Sequence, residues 1–151
     1  MTAYRVEIIA VGTELLLGNV ANTDAQFLSE MLASVGVDVL YHTAVGDNPA
    51  RLREVVDIAR GRANLLVFTG GLGPTYDDMT KQIVCEAFGL GLEFHPEIVE
   101  EIRHYFDTVF RREMPACNLQ QAYLPRGCTV LHNPVGTAPG CIFETGGVTA
   151  V

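Results

Sequence analysis

Residues 65–81 constrain the fold more than any other stretch. Leu65, Leu66, Val67 and Phe68 run without a polar break, Gly70, Gly71 and Gly73 follow, and Thr75 opens a T-x-x-D pattern ending on Asp78. An unbroken apolar run of this length suits a strand covered on both faces, as in a parallel sheet. The glycines let the backbone turn sharply and approach a ligand, because no Cβ stands in the way. T-x-x-D reads as a helix start, so the spacing predicts a helix over residues 78–88, closed by Gly89. The free N–H groups at such a start favour an anion such as phosphate.

Two common phosphate loops do not match. The string G-x-x-x-x-G-K-[ST] is absent. In the dinucleotide fingerprint a third glycine is needed where this chain has Tyr76, and the loop follows an interior strand rather than the first. The pair Asp77–Asp78 is the unusual part. Two carboxylates beside an anion hole repel the anion unless a cation lies between them. Mg2+ does this, taking one or two carboxylates and sharing its other positions with water and phosphate oxygens. The plainer reading is that the pair caps a helix.

The rest of the chain arranges itself around this stretch. Residues 5–11 read as a first strand, residues 22–35 as a helix with Ala25, Leu28, Leu32 and Val35 on one face, and residues 37–45 as a second strand. Residues 49–60 read as a second helix stopped by Gly61. The order β-α-β-α-β-α predicts an α/β fold, with a mostly parallel central sheet and helices on both faces. Beyond it, residues 90–94 read as extended, 96–112 as one long helix with Ile98, Ile102, Tyr105, Phe106 and Val109 on one side, and 115–122 as a short helix. Residues 129–131 read as a strand, and 141–144 with 148–151 as a hairpin across Thr145-Gly146-Gly147. The chain stops on an apolar strand at Val151, which implies that the natural protein continues.

In open α/β sheets, ligands bind beyond the carboxyl ends of the strands. Glu14, Asp47, and Asp77 with Asp78 each follow a predicted strand, so parallel strands would put them on one rim; Asp24 is a further candidate. Thr69, Thr75, Thr80 and Thr137 offer hydroxyls. Mg2+-assisted attack on a phosphoric anhydride fits such a rim. The 151 residues carry a net charge of −8, which argues against non-specific nucleic-acid binding. With 48% hydrophobic and 19% charged residues the chain reads as one globular domain, and no apolar run is long enough to span a membrane. Cys85, Cys117, Cys128 and Cys141 form no C-x-x-C pair and read as small buried hydrophobes in a reducing cytoplasm; no metal is assigned to the four histidines.

Three ordered motifs carry a family resemblance: Gly12-Thr13-Glu14-Leu15-Leu16-Leu17-Gly18, Thr69-Gly70-Gly71-Leu72-Gly73-Pro74-Thr75 with Asp77, Asp78 and Thr80, and Asn133-Pro134-Val135-Gly136-Thr137-Ala138-Pro139-Gly140. The chain resembles the molybdopterin-binding (MogA/MoaB-like) domain, in the version found at the N-terminus of the CinA competence/damage-inducible family. The resemblance implies a three-layer α/β/α sandwich. It implies either metal-dependent pyrophosphatase activity on ADP-ribose, or adenylyl transfer from ATP to molybdopterin with Mg2+, or a module that binds nucleotide or pterin without turnover. By the same resemblance Gly12, Thr13, Thr69, Gly70, Gly71, Gly73 and Thr75 would bind the ligand, Asp77 and Asp78 the metal, and Gly136, Thr137, Ala138, Pro139 and Gly140 would line the opposite wall. Relatives are homo-oligomers and often continue into a nicotinamide-mononucleotide deamidase domain. The family usually reads Asn-Arg-Lys-Gln-Ala where this chain has Asn118-Leu119-Gln120-Gln121-Ala122, so a phosphate-facing lysine is replaced by Gln120. The family's Asp-Thr-Asn is here Asn22-Thr23-Asp24.

Overall fold

The computed structural model describes residues 4–151. Its first half is the expected alternation: β1 (Val6–Val11), a single helical turn α1 (Thr13–Leu16), α2 (Thr23–Ser34), β2 (Val39–Val45), α3 (Pro49–Arg62), β3 (Leu65–Thr69) and α4 (Thr80–Phe88). The second half adds β4 (Leu92–Phe94), α5 (Pro96–Tyr105), β5 (Tyr123–Pro125), β6 (Thr129–Leu131), β7 (Gly140–Thr145) and β8 (Val148–Ala150). The main sheet has the order β2-β1-β3-β8-β7-β6. The pairs β2–β1, β1–β3 and β3–β8 are parallel, and β7 runs antiparallel to both neighbours. β4 and β5 form a separate antiparallel pair, which the sequence reading did not anticipate.

Alternation along the central strands divides the core into layers. Val6, Ile8 and Val67 pack with Ala25, Leu28 and Leu32 of α2 on one face. Ile9, Val11 and Leu66 pack with Leu52, Val56 and Ala59 of α3 and Ile83, Val84, Ala87 and Phe88 of α4 on the other. This is the three-layer α/β/α sandwich. Local signals behave as their chemistry dictates. The side chain of Asn22 accepts from Ala25 N–H and that of Asn48 from Arg51 N–H, capping α2 and α3. Gly146 and Gly147 both have positive φ between paired Thr145 and Val148, giving the two-residue turn that suits the twist of the β7–β8 hairpin.

Three expectations fail. The helix after the glycine loop begins at Thr80 rather than Asp78, because Asp78 spends its carboxylate on the loop behind it. The single long helix over 96–112 is instead α5 followed by a π-helical stretch, Phe106–Phe110, which ends at Arg111 with φ 53°. The wider π turn breaks the 3.6-residue phase, so Ile98, Ile102 and Phe106 are buried while Val109 is exposed. Gly61 does not stop α3: the helix runs on to Arg62, whose guanidinium reaches back to Glu7 in the centre of the sheet.

Gly61 therefore sits in a helical backbone with nothing within 4 Å of where a Cβ would be. Gly61→Ala is expected to stabilise the fold by about 0.5–1 kcal/mol, through helix propensity and a less flexible unfolded chain. A higher urea midpoint at unchanged slope would confirm it; a lower midpoint would mean that α3 needs the glycine.

Glu7 is fully buried on β1 and takes two hydrogen bonds from Arg62, at 2.8 and 2.7 Å, and one from the Thr43 hydroxyl at 2.6 Å. Burial works against the charged carboxylate, but Arg62 and Thr43 outweigh it and hold the group below its ordinary 4.5. The stabilisation is thus fully present above 4.5 and is lost as pH falls through the depressed folded value. Arg62→Gln is expected to move the acid-unfolding midpoint, followed by circular dichroism, to higher pH. An unmoved midpoint would show that the pair adds nothing to acid stability.

Candidate functional site

The carboxyl ends of β1, β2 and β3 are joined directly. Gly12 N–H donates to Val45 O at 2.9 Å, and Gly70 lies so close to Val11 that an added Cβ would overlap its carbonyl oxygen. Gly70 and Gly71 have φ of 84° and 62°, the left-handed region that only glycine enters without strain. The turn they make is latched from behind. The buried Thr80 donates its hydroxyl to Gly70 O at 2.9 Å and its N–H to Gly71 O at 3.2 Å. The Thr80 hydroxyl is thus committed to the loop, not to a ligand.

Each candidate acid has a definite place. Asp47 Oδ2 accepts from Thr13 N–H at 2.9 Å and from the Thr13 hydroxyl at 2.8 Å, tying the loop after β2 to the loop after β1. Glu14 folds its carboxylate back over Gly12, where a Cβ would meet it. Asp78 Oδ2 accepts from Thr75 N–H at 2.9 Å and from the Thr75 hydroxyl. Burial disfavours its charge, but the Thr75 hydroxyl and the Thr75 and Gly73 backbone groups prevail, holding the carboxyl below its ordinary 3.8. Asp77 and Tyr76 are exposed at the loop tip. Asp24 is exposed in the first turn of α2. Neither Asp77 nor Asp78 caps α4, whose N-cap position is held by Met79 with no side-chain cap.

The third motif divides between two cavities. Gly136, Thr137 and Pro139 line a 630 Å3 cavity with Ile98, Ile102 and Tyr105 of α5. There Tyr105 donates its hydroxyl to Val135 O at 2.9 Å, and Asn133 Nδ2 donates to Ala138 O at 2.9 Å. Gly140 instead lines a 130 Å3 apolar cavity beside Leu72 and Thr80 of the glycine loop. A third cavity, 210 Å3, lies against Gly73, Asp78, Lys81, Gln82, Gln120 and Tyr123 and touches both the glycine loop and its carboxylate. Thr69 ends β3 half-buried.

Sequence reasoning missed the wiring behind the loop. Gln120 Nε2 donates to Gly73 O at 3.1 Å and Thr75 O at 2.8 Å, and the buried Gln121 donates to Leu72 O at 3.2 Å. Lys81 Nζ donates to the carbonyls of Gln120, Gln121 and Tyr123 at 3.3, 3.0 and 2.9 Å. One ammonium thus orders the segment whose two amides hold the glycine loop. The only signal of this in the sequence was the exchange of the family lysine for Gln120. Among the described residues no three His, Cys, Asp or Glu side chains gather as a metal cage. A cation here would be held as Mg2+ is held beside phosphates, by one or two carboxylates and the ligand's own oxygens, and Asp78 with Asp77 fits that donor set.

All four cysteines are free, and Cys117 is exposed, against the expectation that each would be buried. Burial pushes the Lys81 amine from 10.5 down to about 8, and pushes the thiols of Cys85 and Cys141 from 9.0 up to about 11 and about 12. Between 8 and 10.5 the unfolded chain keeps a lysine proton that the folded chain has released, so rising pH favours the fold. Above 9.0 the unfolded thiols of Cys85, Cys141 and Cys128, which burial also raises, release protons that the folded ones keep, and this acts oppositely and outweighs the lysine. Stability is expected to rise from pH 8, peak near pH 9 and then fall. A series of urea midpoints checks this, and a decline starting at pH 8 would remove the lysine from the account.

Known proteins share this sequence and fold. Residues 7–151 match the family model described as "Probable molybdopterin binding domain". A protein named as competence-damage inducible in Acetivibrio thermocellus is 52% identical over 145 residues, 96% of this chain and 35% of the relative. A CinA-like protein of Crocosphaera subtropica is 52% identical over 138 residues, 91% of this chain and 33% of the relative. The chain thus spans about a third of the length of the curated relatives it matches. The crystal structure of the protein CinA from Thermoplasma acidophilum superposes with a TM-score of 0.87 at 31% identity, covering 99% of this chain and 87% of that one. The molybdopterin biosynthesis enzyme MoaB of Thermus thermophilus superposes with a TM-score of 0.55 at 22% identity, covering 81% and 79%, a likeness of fold alone.

Proposed function

The chain belongs to the molybdopterin-binding-domain family, in its CinA-like branch, and from that premise we propose that it hydrolyses a nucleoside diphosphate compound, ADP-ribose foremost, with a divalent cation. One observation carries the reading: a carboxylate kept ionised, Asp78, is clamped against a glycine loop with two left-handed residues. A loop of this kind brings backbone close to a diphosphate, and an ionised carboxylate beside it suits a cation shared with the phosphate oxygens.

Mg2+ bound there would neutralise charge on the bridging and leaving oxygens as the anhydride is attacked. The chain's own residues supply position. Gly70, Gly71 and Gly73, having no Cβ, let the loop close on Val11, Thr80 and Asp78, and its backbone would meet the phosphates. Asp78, held by Thr75, and the exposed Asp77 would hold the cation. Asp47, fixed by Thr13, and Glu14 stand at the neighbouring strand ends as candidates to orient the attacking water. Water adds to one phosphorus, the P–O–P bond breaks, and AMP and ribose 5-phosphate leave with release of a proton. The purified chain is expected to release AMP from ADP-ribose with Mg2+, and to stop when EDTA is added. Absence of AMP under saturating Mg2+ would reject the hydrolase reading.

The family description favours a second reading, in which the same loop binds molybdopterin or transfers an adenylyl group to it from ATP. Pyrophosphate release from ATP only when molybdopterin is present would replace the first reading with this one.

A further inference from the structure

Helix α2 is apolar on two faces, and its core needs only one. Ala25, Leu28 and Leu32 pack against β1 and β3, as an amphipathic helix should. Phe27 and Met31 lie on a second face that adjoins the first, and Val35, the C-cap residue that periodicity put with Ala25, Leu28 and Leu32, is not buried with them; all three are more than half exposed. Their spacing of four residues keeps them within one quadrant of the helix. Val20 just before α2, and Leu40 on the neighbouring edge strand β2, are also more than half exposed. A hydrogen bond between Ser29 Oγ and His42 Nε2, at 2.8 Å, joins the helix to that strand. A surface of this kind on a soluble-type fold marks an interaction site.

Charge restricts what can cover it. Between Arg5 and Arg51 the chain has no Lys or Arg, while Asp24, Glu30 and Asp38 are exposed around the stripe. A second copy applied by the same face would set these acids against their own equivalents with no cation between them, which costs association. A row of anchors one helical turn apart is the pattern that receives another helix. We propose that the α2–β2 edge docks an amphipathic helix of a partner protein that carries Lys or Arg beside its apolar stripe. The site is separate from the glycine loop, so the proposal does not depend on the hydrolase reading.

The test uses the whole chain and two synthetic helical peptides with one Leu pattern, the first with Lys and the second with Glu on its polar positions. Titration calorimetry is expected to show binding of the Lys peptide alone, weakened by raising salt from about 0.05 to about 0.5 M. Phe27→Ser with Met31→Ser is expected to weaken it about tenfold or more while leaving the helical circular dichroism unchanged. Glu30→Lys, which keeps the apolar stripe, is expected to weaken it as well. No binding, equal binding of the Glu peptide, or an affinity that ignores all three substitutions would overturn the proposal. So would sedimentation showing a dimer that Phe27→Ser with Met31→Ser dissolves, since a second copy would then be the occupant.

Discussion

Gly70→Ala is expected to cost about 3 kcal/mol or more of folding stability, a fall in Tm of roughly 6–12 °C for a domain of this size. Two causes add. At φ 84° an L side chain is strained by about 1–2 kcal/mol. The added Cβ would also overlap the carbonyl oxygen of Val11. That oxygen belongs to the backbone of β1, which is hydrogen-bonded to strands on both sides, so it cannot swing away as a flexible side chain would. Gly89→Ala separates the two causes. Gly89 has φ 69° at the end of α4, but nothing lies within 4 Å of its Cβ position. It is expected to lose only about 1 kcal/mol, the strain alone. Thermal unfolding of both variants decides the matter. If the two fall by the same amount, β1 yields to the methyl group and the tight approach of the glycine loop is not a structural requirement.

The parts of this fold that follow local rules could be read directly from the chain. Strands β1 and β3, the Asn22 cap, the stop at Gly89 and the hairpin at Gly146-Gly147 each depend on residues within a turn or two of one another. The failures share a different cause. Gly61 is a helix breaker by propensity, yet α3 passes through it, and one residue later Arg62 finds Glu7, 55 positions away. Asp78 is a good helix-start residue, yet its carboxylate turns back to Thr75 and leaves α4 to begin two residues later. The π stretch after α5 and the β4–β5 pair likewise answer to packing across the chain.

The site divides along the same line. The glycines and acids were visible because each chemistry needs its residue type in sequence near a strand end. Lys81, Gln120 and Gln121 were not, because a lysine that binds three carbonyls some 40 positions away leaves no spacing to detect. The third motif shows the limit of adjacency in sequence. Gly136 and Gly140 are four residues apart and line different cavities.

Asp78→Asn is expected to lower kcat/KM for ADP-ribose by about 100-fold or more, at least about 2.7 kcal/mol of transition-state stabilisation, while changing folding stability by less than about 1 kcal/mol. The asymmetry follows from what the carboxylate does in each role. The Oδ2 contacts with Thr75 ask only for an acceptor, and the Asn carbonyl oxygen supplies one in the same place. A cation shared with a diphosphate asks for negative charge, and the amide has none. Thr75→Val tests the same logic from the other side. It removes a hydroxyl that helps hold the Asp78 carboxyl below 3.8, so protonation moves to higher pH. Activity is then expected to survive at neutral pH, with the acidic limb of its pH profile shifted upward. If Asp78→Asn unfolds the chain, the carboxylate is a clamp for the loop and its charge is incidental. If the variant folds and still turns over at the native rate, Asp78 does not carry the cation, and Asp77, Glu14 and Asp47 are the carboxylates that remain on the rim.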